Sequence, residues 1–597
     1  MHPPSTAIEW AIRYWRPLLL LFWLAAAALM LFDRWGAVQW FALGDTDDNL
    51  RMMQVRALLS GQDWYDLRQY RLNPPTGADI HWSRFVDLPI AGIKLALAPL
   101  IGGAAAERWA VALAPLLPMG VAVAAVAVTA RRLISPAAFA LAVGLLFCAH
   151  SARGMWAPLR IDHHGWQLAL LAVTVMAMVD PKRARGGAIL GFATALSLSI
   201  GLEMLPYLAL AGAVTVLIWV WDGAEARRLA AYGASLAGGC ALFFLIFASY
   251  ANRAPLCDAL SPVWLSALLP AGALCVALAA WSPERRLLRL AAAAMGGALI
   301  AAAFAWMWPD CLGRLEQSSP ELERLWLSKV REAMPIYRHG WKTAATGASL
   351  PVIGLIGYAA MVWRHRREPE ALIRWAGLGL LALAAAALLL WQTRATPAAQ
   401  LLAIPGATAL AWLILGWIRA RPNWILRAAT VVVAFLLISG LATFYVTRLV
   451  PDPPASERRR AIAQANSRCP TIPALRPIAL QPRGTVLTFV DLGPRLITVT
   501  HHDAITGPYH RNARQIIDVM RAWRGDAENA RRTVERYDAD YLLICPNLSE
   551  STIYRSEAPR GFYMQLVEGK VPDWLEPVEL PGDSPYRMWR VRGRSPG

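Results

Sequence analysis

Three carboxylates fall within the stretch Asp45-Thr46-Asp47-Asp48-Asn49-Leu50-Arg51. So dense a set of hard oxygen ligands attracts a divalent cation of the Mg²⁺ or Mn²⁺ kind, or poises one carboxylate as a base. The same residues also suit a helix start, with an acidic cap and first turn ahead of Leu50–Leu59. A second cluster reads Arg160-Ile161-Asp162-His163-His164-Gly165-Trp166-Gln167. An aspartate and two histidines beside a long apolar run are costly to place at a membrane boundary, and carboxylate plus imidazole is a workable metal pair. The plainer reading is an interfacial cap bonded to lipid headgroups. Three weaker sets follow. Lys329-Val330-Arg331-Glu332-Ala333-Met334-Pro335 resembles many amphipathic loops. Arg394 precedes Thr396-Pro397 and either anchors to lipid phosphate or grips a diphosphate bidentately. His501-His502-Asp503 and Pro508-Tyr509-His510-Arg511-Asn512 supply acceptor or phosphate contacts, or simply serve a small domain.

The elements that must position these groups are membrane helices. Of 597 residues, 56% are hydrophobic and 17% charged, against about 25% charged in a soluble chain. Apolar blocks of roughly 15–25 residues recur, long enough to cross a bilayer. The net charge of +18 is explained by basic loops on the inner face rather than by nucleic acid. The first block, Pro17–Phe32, follows Arg13 and Arg16 and lacks a small-residue cleavage site, so it reads as a retained helix.

Further spans are expected at Trp109–Ala130, Pro136–His150, Trp166–Val179, Gly187–Ile200, Met204–Trp221 and Ala231–Tyr250. The remainder lie at Val263–Trp281, Leu288–Trp308, Ala348–Trp363, Trp375–Trp391, Ala398–Ile418 and Ile425–Val446. Leu88–Gly103 is short, contains Lys94, and is read as interfacial or re-entrant. With the N-terminus inside, every inner loop is basic: Arg131 and Arg132; Lys182, Arg183 and Arg185; Arg227 and Arg228; Arg285 and Arg286; Arg364, Arg366 and Arg367; Arg419 and Arg421. This satisfies the positive-inside rule with about 13 helices. Residues 1–450 then form a polytopic α-helical membrane domain with external loops 33–87, 151–165 and 309–346. Residues 451–597 form an extracytoplasmic α/β domain. In it Thr485–Val490, Leu496–Thr500 and Tyr541–Ile544 are expected strands, and Asn512–Trp523 and Ala527–Tyr537 expected helices. Cys257, Cys311, Cys469 and Cys545 would face outward, where an oxidising periplasm permits Cys257–Cys311 and Cys469–Cys545 disulfides. Cys148, Cys240 and Cys275 lie in apolar blocks, and no zinc-ligand spacing is present.

Taken together, the loops resemble the GT-C superfamily of membrane glycosyltransferases, and within it the oligosaccharyltransferase catalytic subunit of the AglB and PglB type. Asp45, Asn49 and Arg51 fit that family's first-loop aspartate context, and Asp162-His163-His164 matches its archaeal D-H-H element. Val330, Glu332 and Pro335 fit a later-loop element in which Lys329 replaces the usual hydroxyl residue, and Arg394 stands for a late-helix arginine. The family's W-W-D motif has no match in the tail. Trp219-Val220-Trp221-Asp222 lies at an inner helix end, so sequon-directed N-glycosylation is not expected.

The resemblance implies an inverting glycosyltransferase drawing on a polyprenyl-phosphate or polyprenyl-diphosphate sugar donor, with an acceptor that is a lipid, a glycan or a protein; the Ala- and Arg-rich composition points to a bacterial inner membrane. Asp45 would activate the acceptor, with Asp47 its rival and Glu332 closing the site. Asp45, Asp162 and His164 would hold Mg²⁺ or Mn²⁺, and Arg394 the donor phosphate. Asp48, Arg51, His163, His510 and Arg511 are secondary candidates. A non-catalytic transporter or flippase for lipid-linked glycans is the alternative. It would need polar residues at mid-membrane depth, where only Lys94 and Glu203 come near apolar blocks. A scaffold acting through its tail gives no reason for the acidic first loop.

Overall fold

The computed structural model describes residues 6–419 and 423–594; Arg421 lies outside the described residues. Among the described residues eight helices are long and apolar enough to cross a membrane: Trp15–Asp33, Gly103–Leu133, Gly223–Phe247, Pro262–Trp281, Arg286–Met307, Trp341–Arg364, Pro369–Leu388 and Thr393–Ile418. Trp424–Ile438 and Leu441–Leu449 make a ninth if counted as one span, bent by 80°. The bend falls at Gly440, whose φ of +77° suits glycine. Every expected span overlaps a helix, but Phe139–Cys148, His164–Met178 and Leu205–Trp221 are shorter than a full crossing. The His164–Met178 helix and the Arg183–Ile200 helix are buried on most sides, so protein neighbours rather than lipid set their environment. A Cβ on Gly187 would sit 2.1 Å from the Arg228 carbonyl oxygen. Only glycine therefore lets the Arg183–Ile200 and Ala226–Phe247 helices approach so closely.

The Leu88–Gly103 segment is the helix Asp87–Ile101. Gly102, at φ +80°, turns the chain back into Gly103–Leu113, and Lys94 Nζ meets Glu107 Oε1 at 2.7 Å across this hairpin. The basic ends expected inside gather on one face. Arg132 and Arg185 pair with Asp180 at 3.0 and 2.7 Å, and Arg183 and Arg228 pair with Glu225 at 2.9 and 2.6 Å.

At the opposite end lies a five-stranded sheet with strands β1 (Thr485–Leu487), β2 (Asp503–Ala504), β3 (Tyr541–Ile544), β4 (Leu575–Pro577) and β5 (Arg587–Val591) in the order β2-β1-β3-β5-β4. β1 is parallel to β2 and β3, while β5 runs antiparallel to β3 and β4. Helices Ala513–Arg524 and Ala527–Arg536 occupy the expected places. The expected strand Leu496–Thr500 is instead part of the helix Gly493–Val499. Its Ile-Thr-Val run favours a strand by propensity, but Pro494 pre-sets a helix start and burial of nearly the whole helix overrides propensity.

The 33–87 segment shares a core with this sheet. Leu50, Leu72, Ile80 and Trp82 pack in one cluster with Val486, Phe489, Leu496 and Trp523, and Leu322 and Leu325 of the 309–346 loop join it. The backbone is continuous too: Ala504 N donates to Arg71 O at 3.0 Å, and Asn73 N to Ala504 O at 2.9 Å. Disulfides join Cys257 to Cys311 and Cys469 to Cys545.

Candidate active site

Asp45 caps the helix Thr46–Leu59. Its backbone is extended, and its Oδ1 accepts from Asp47 N at 3.1 Å. This is the N-cap geometry that leaves Asp47 and Asp48 in the first turn, where the helix dipole favours negative charge. Asp48 turns inward. Its Oδ1 accepts from the backbone N–H groups of Ile161 and Asp162 at 2.8 and 3.1 Å. The two motifs are thus fastened together by hydrogen bonds from main-chain N–H groups to the Asp48 carboxylate, which sequence spacing alone does not show.

Arg160 is the hinge of the cluster. Its Nη1 donates to Asp45 Oδ2 and approaches Asp48 Oδ2 at 3.5 Å, while Nη2 lies 2.7 Å from Asp162 Oδ2. Burial opposes ionisation of Asp45. The Arg160 charge and hydrogen bond, with the Asp47 N–H, prevail and hold the carboxyl below its usual range. For Asp162 burial is likewise outweighed, by the charges of His164 and Arg160. Asp47 differs. Its carboxylate makes no hydrogen bond among the described residues, and burial together with the Asp45 charge pushes it up to about 7.

On the far side of Asp162, His163 Nε2 and Glu203 Oε1 are 3.0 Å apart, and Gln167 Nε2 donates to Glu203 Oε2 at 2.8 Å. Burial lowers the pKa of His163, but the Glu203 charge and hydrogen bond raise it above the ordinary value. Glu203 therefore pairs with an imidazole of this cluster.

A divalent cation suits these residues on two grounds. Arg160 already carries a positive charge among Asp45, Asp48 and Asp162. His164 Nδ1 is buried without a hydrogen-bond partner. The Asp45, Asp162 and His164 ligand atoms do not all lie within 4.8 Å of one another, since the guanidinium stands between the two carboxylates.

Other expected site residues are placed elsewhere. Arg51 lies in a buried ion pair. It is fully buried, its Nη1 donates to Asp87 Oδ1 at 2.8 Å and to Ser83 O at 3.1 Å, and its guanidinium lies 4.3 Å from the Trp82 ring centre. Glu332 and Arg394 come together, with Nη2 donating to Oε1 at 3.2 Å. Both are partly exposed, and neither bonds to the Asp45 cluster among the described residues. The loop is held beside the Pro369–Leu388 helix end by Ile336 N to Leu389 O at 2.9 Å and Thr393 N to Met334 O at 2.8 Å. His510 and Arg511 converge on Asp258, at 2.6 and 2.7 Å.

Two contributors, Arg495 and Asp491, lie outside the quoted motifs, and Arg160 and Tyr509 stand within them without an assigned role. Arg160 was visible only as a neighbour of Asp162. Tyr509 donates its hydroxyl to Thr46 O at 3.1 Å. Arg495 Nη1 donates to Phe41 O at 3.0 Å and Asn49 Oδ1 at 3.2 Å. Asp491, between β1 and the Gly493–Val499 helix, lies within electrostatic reach of Asp45, and Glu550 accepts from its backbone N–H at 2.8 Å. All but Arg160 come from the C-terminal part of the chain; for Asp491 the available signal is a carboxylate in the turn after a strand.

No family model matches the chain, and no curated protein does. Solved structures do. The archaeal oligosaccharyltransferase AglB from Archaeoglobus fulgidus, in complex with an inhibitory peptide and a dolichol-phosphate, superposes with a TM-score of 0.66 at 15% identity, covering 92% of this chain and 72% of that one. The Archaeoglobus fulgidus oligosaccharyltransferase tethered to an acceptor peptide containing the NVT sequon gives 0.64 at 15% identity, covering 92% and 72%. Its complex with Zn and sulfate gives 0.57 at 13% identity, covering 87% and 67%. The chain is a multi-pass membrane protein with the GT-C fold of the archaeal oligosaccharyltransferase.

Proposed function

We propose that this chain transfers a sugar or oligosaccharide from a polyprenyl-phosphate or polyprenyl-diphosphate donor to an acceptor at the extracytoplasmic face of a bacterial inner membrane, with the N-terminus cytoplasmic and the C-terminal domain periplasmic. One observation carries the reading. Asp45, Asp47, Asp48, Asp162, His163 and His164 converge at the end of the helix bundle remote from the Asp180 and Glu225 clusters, in a fold whose solved examples include a dolichol-phosphate complex.

Asp47 is the acceptor-activating base. Its carboxylate is free to accept, and a value near 7 suits proton transfer at neutral pH. Asp45 is less basic because Arg160 neutralises it. The acceptor loses its proton to Asp47 as it attacks the anomeric carbon. The bond from that carbon to the phosphate oxygen breaks, and attack from the opposite side inverts the centre. A Mg²⁺ or Mn²⁺ ion held by Asp45, Asp162 and His164 would offset negative charge on the leaving phosphate. His163, favoured in its protonated form by Glu203, adds positive charge from the protein itself. Arg394 offers its forked donors to the diphosphate on parting from Glu332, which then closes over the site. The acceptor is a lipid, a glycan or a protein side chain.

The test is turnover of a labelled polyprenyl-linked glycan by the full chain in lipid nanodiscs, with Mn²⁺ or with EDTA. Metal-dependent transfer or release, lost in Asp47→Asn, is the expected result. A donor that binds without ever being cleaved would replace the enzyme by a carrier of lipid-linked glycans.

A further inference from the structure

A second constellation lies outside the Asp45 cluster and is unused by the reaction proposed above. His81 lies six residues before the Asp87–Ile101 helix, Asp258 sits between the Ala226–Phe247 and Pro262–Trp281 helices, and His510 follows β2. These three residues from distant parts of the chain bring one ligand atom each within 4.8 Å of one another. The His81 and His510 ring centres are 4.8 Å apart, and His510 Nε2 is 2.6 Å from Asp258 Oδ2. The His81 side chain makes no hydrogen bond among the described residues, and its Nδ1 is buried without a partner.

We propose that His81, Asp258 and His510 bind a Zn²⁺-class divalent ion that clamps the C-terminal domain onto the membrane domain. Two imidazoles and one carboxylate form a borderline donor set that selects zinc or cobalt over magnesium, and three protein ligands leave a fourth position for water. The charges permit it. Arg511 forks onto Asp258, with Nε to Oδ2 at 2.8 Å and Nη2 to Oδ1 at 2.7 Å, but Asp79 lies 3.3 Å from the same guanidinium. Asp79 offsets Arg511, so the Asp258 charge remains for the ion. Arg511 acts as the outer partner that fixes the orientation of a ligating carboxylate. Of the three ligands Arg511 bonds to Asp258 alone, through both of its carboxylate oxygens.

The consequence is mechanical. His81 adjoins Trp82, whose ring lies 5.7 Å from that of His163, and His510 adjoins Tyr509, which bonds to Thr46 O at 3.1 Å. An ion here locks together the His81 segment and the domain that flank the Asp45 helix.

The full chain in nanodiscs, stripped with EDTA, is titrated with Co²⁺ as a spectroscopic probe for zinc. A visible band of low-coordinate Co²⁺ is expected, with affinity reduced at least tenfold in His81→Ala and in His510→Ala and retained in His164→Ala. Zn²⁺ is also expected to raise the thermal midpoint of the parent and not of His81→Ala. A band indifferent to both His81→Ala and His510→Ala, or lost only in His164→Ala, overturns the proposal. If His510→Ala fails to fold, His81→Gln decides, because that side chain donates no hydrogen bond whose loss would unfold the chain. Neither readout requires turnover, so failure of the glycosyltransferase reading leaves this test intact.

Discussion

The guanidinium of Arg160 lies 2.7 Å from the carboxylate of Asp162, and through its other terminal nitrogen it holds Asp45. One cation thus bridges the two motifs that a sequence reading assigns to a metal. Removing it leaves Asp45, Asp48 and Asp162 facing one another. Arg160→Ala is therefore expected to tighten Mn²⁺ binding, by about tenfold or more for one unit of charge at this range. It should also lower the thermal midpoint, since three carboxylates lose their partner. Electron paramagnetic titration of Mn²⁺ checks the sign; weaker binding would mean that Arg160 supports the ion rather than competing with it.

Asp47 sets the acid limb of the pH profile. With its carboxyl pushed up to about 7 by burial and the Asp45 charge, the base form is lost as pH falls below that value, and kcat/KM should fall about tenfold per unit. Asp47→Asn should remove nearly all transfer. The stability effect has the opposite direction. A carboxyl whose folded pKa is raised stabilises the fold below about pH 4 and loses that contribution as pH rises through about 7. Asp47→Asn should therefore melt higher than the parent at pH 8, while the two converge at pH 4.

Glu203 governs the alkaline limb if His163 must be protonated. Glu203 raises His163 against the effect of burial, so Glu203→Gln should bring the loss of activity to lower pH and reduce transfer at neutral pH about tenfold. An unchanged alkaline limb in Glu203→Gln would leave His163 a structural residue.

Arg51 is expected to act through stability. It and Asp87 are fully enclosed, with Arg84 3.2 Å from the second Asp87 oxygen. Truncating one partner of such a buried set costs about 3–5 kcal/mol. Arg51→Ala should lose expression and thermal midpoint together, and any folded fraction should retain kcat. Fluorescence-detected melting followed by assay of the folded peak separates the two effects.

The disulfides cross-link distant parts of the chain. Opening either Cys257–Cys311 or Cys469–Cys545 should cost about 2–5 kcal/mol. Reductant should lower the melting temperature of the parent and leave a Cys257→Ser, Cys311→Ser, Cys469→Ser, Cys545→Ser variant unmoved.

Much of this was legible from the chain itself, for physical reasons that operate locally. Apolar runs and basic loops fix where helices lie and which ends share a face, because lipid demands both over short stretches. The Asp45–Arg51 and Asp162–His164 motifs announced the cluster because ionisable residues beside apolar helices are costly without a use. The tertiary structure decided which charges meet. It put Arg160 between the carboxylates, freed Asp47, tied Glu203 to His163 and gave Arg51 to a buried ion pair. It turned Leu496–Thr500 from a β-prone run into a helix, because packing on nearly every side outweighs propensity. It also joined the 33–87 segment to the C-terminal core and brought His81, Asp258 and His510 together. These relations span up to hundreds of residues, and no local pattern records them, since each depends on which faces find one another once the helices are packed.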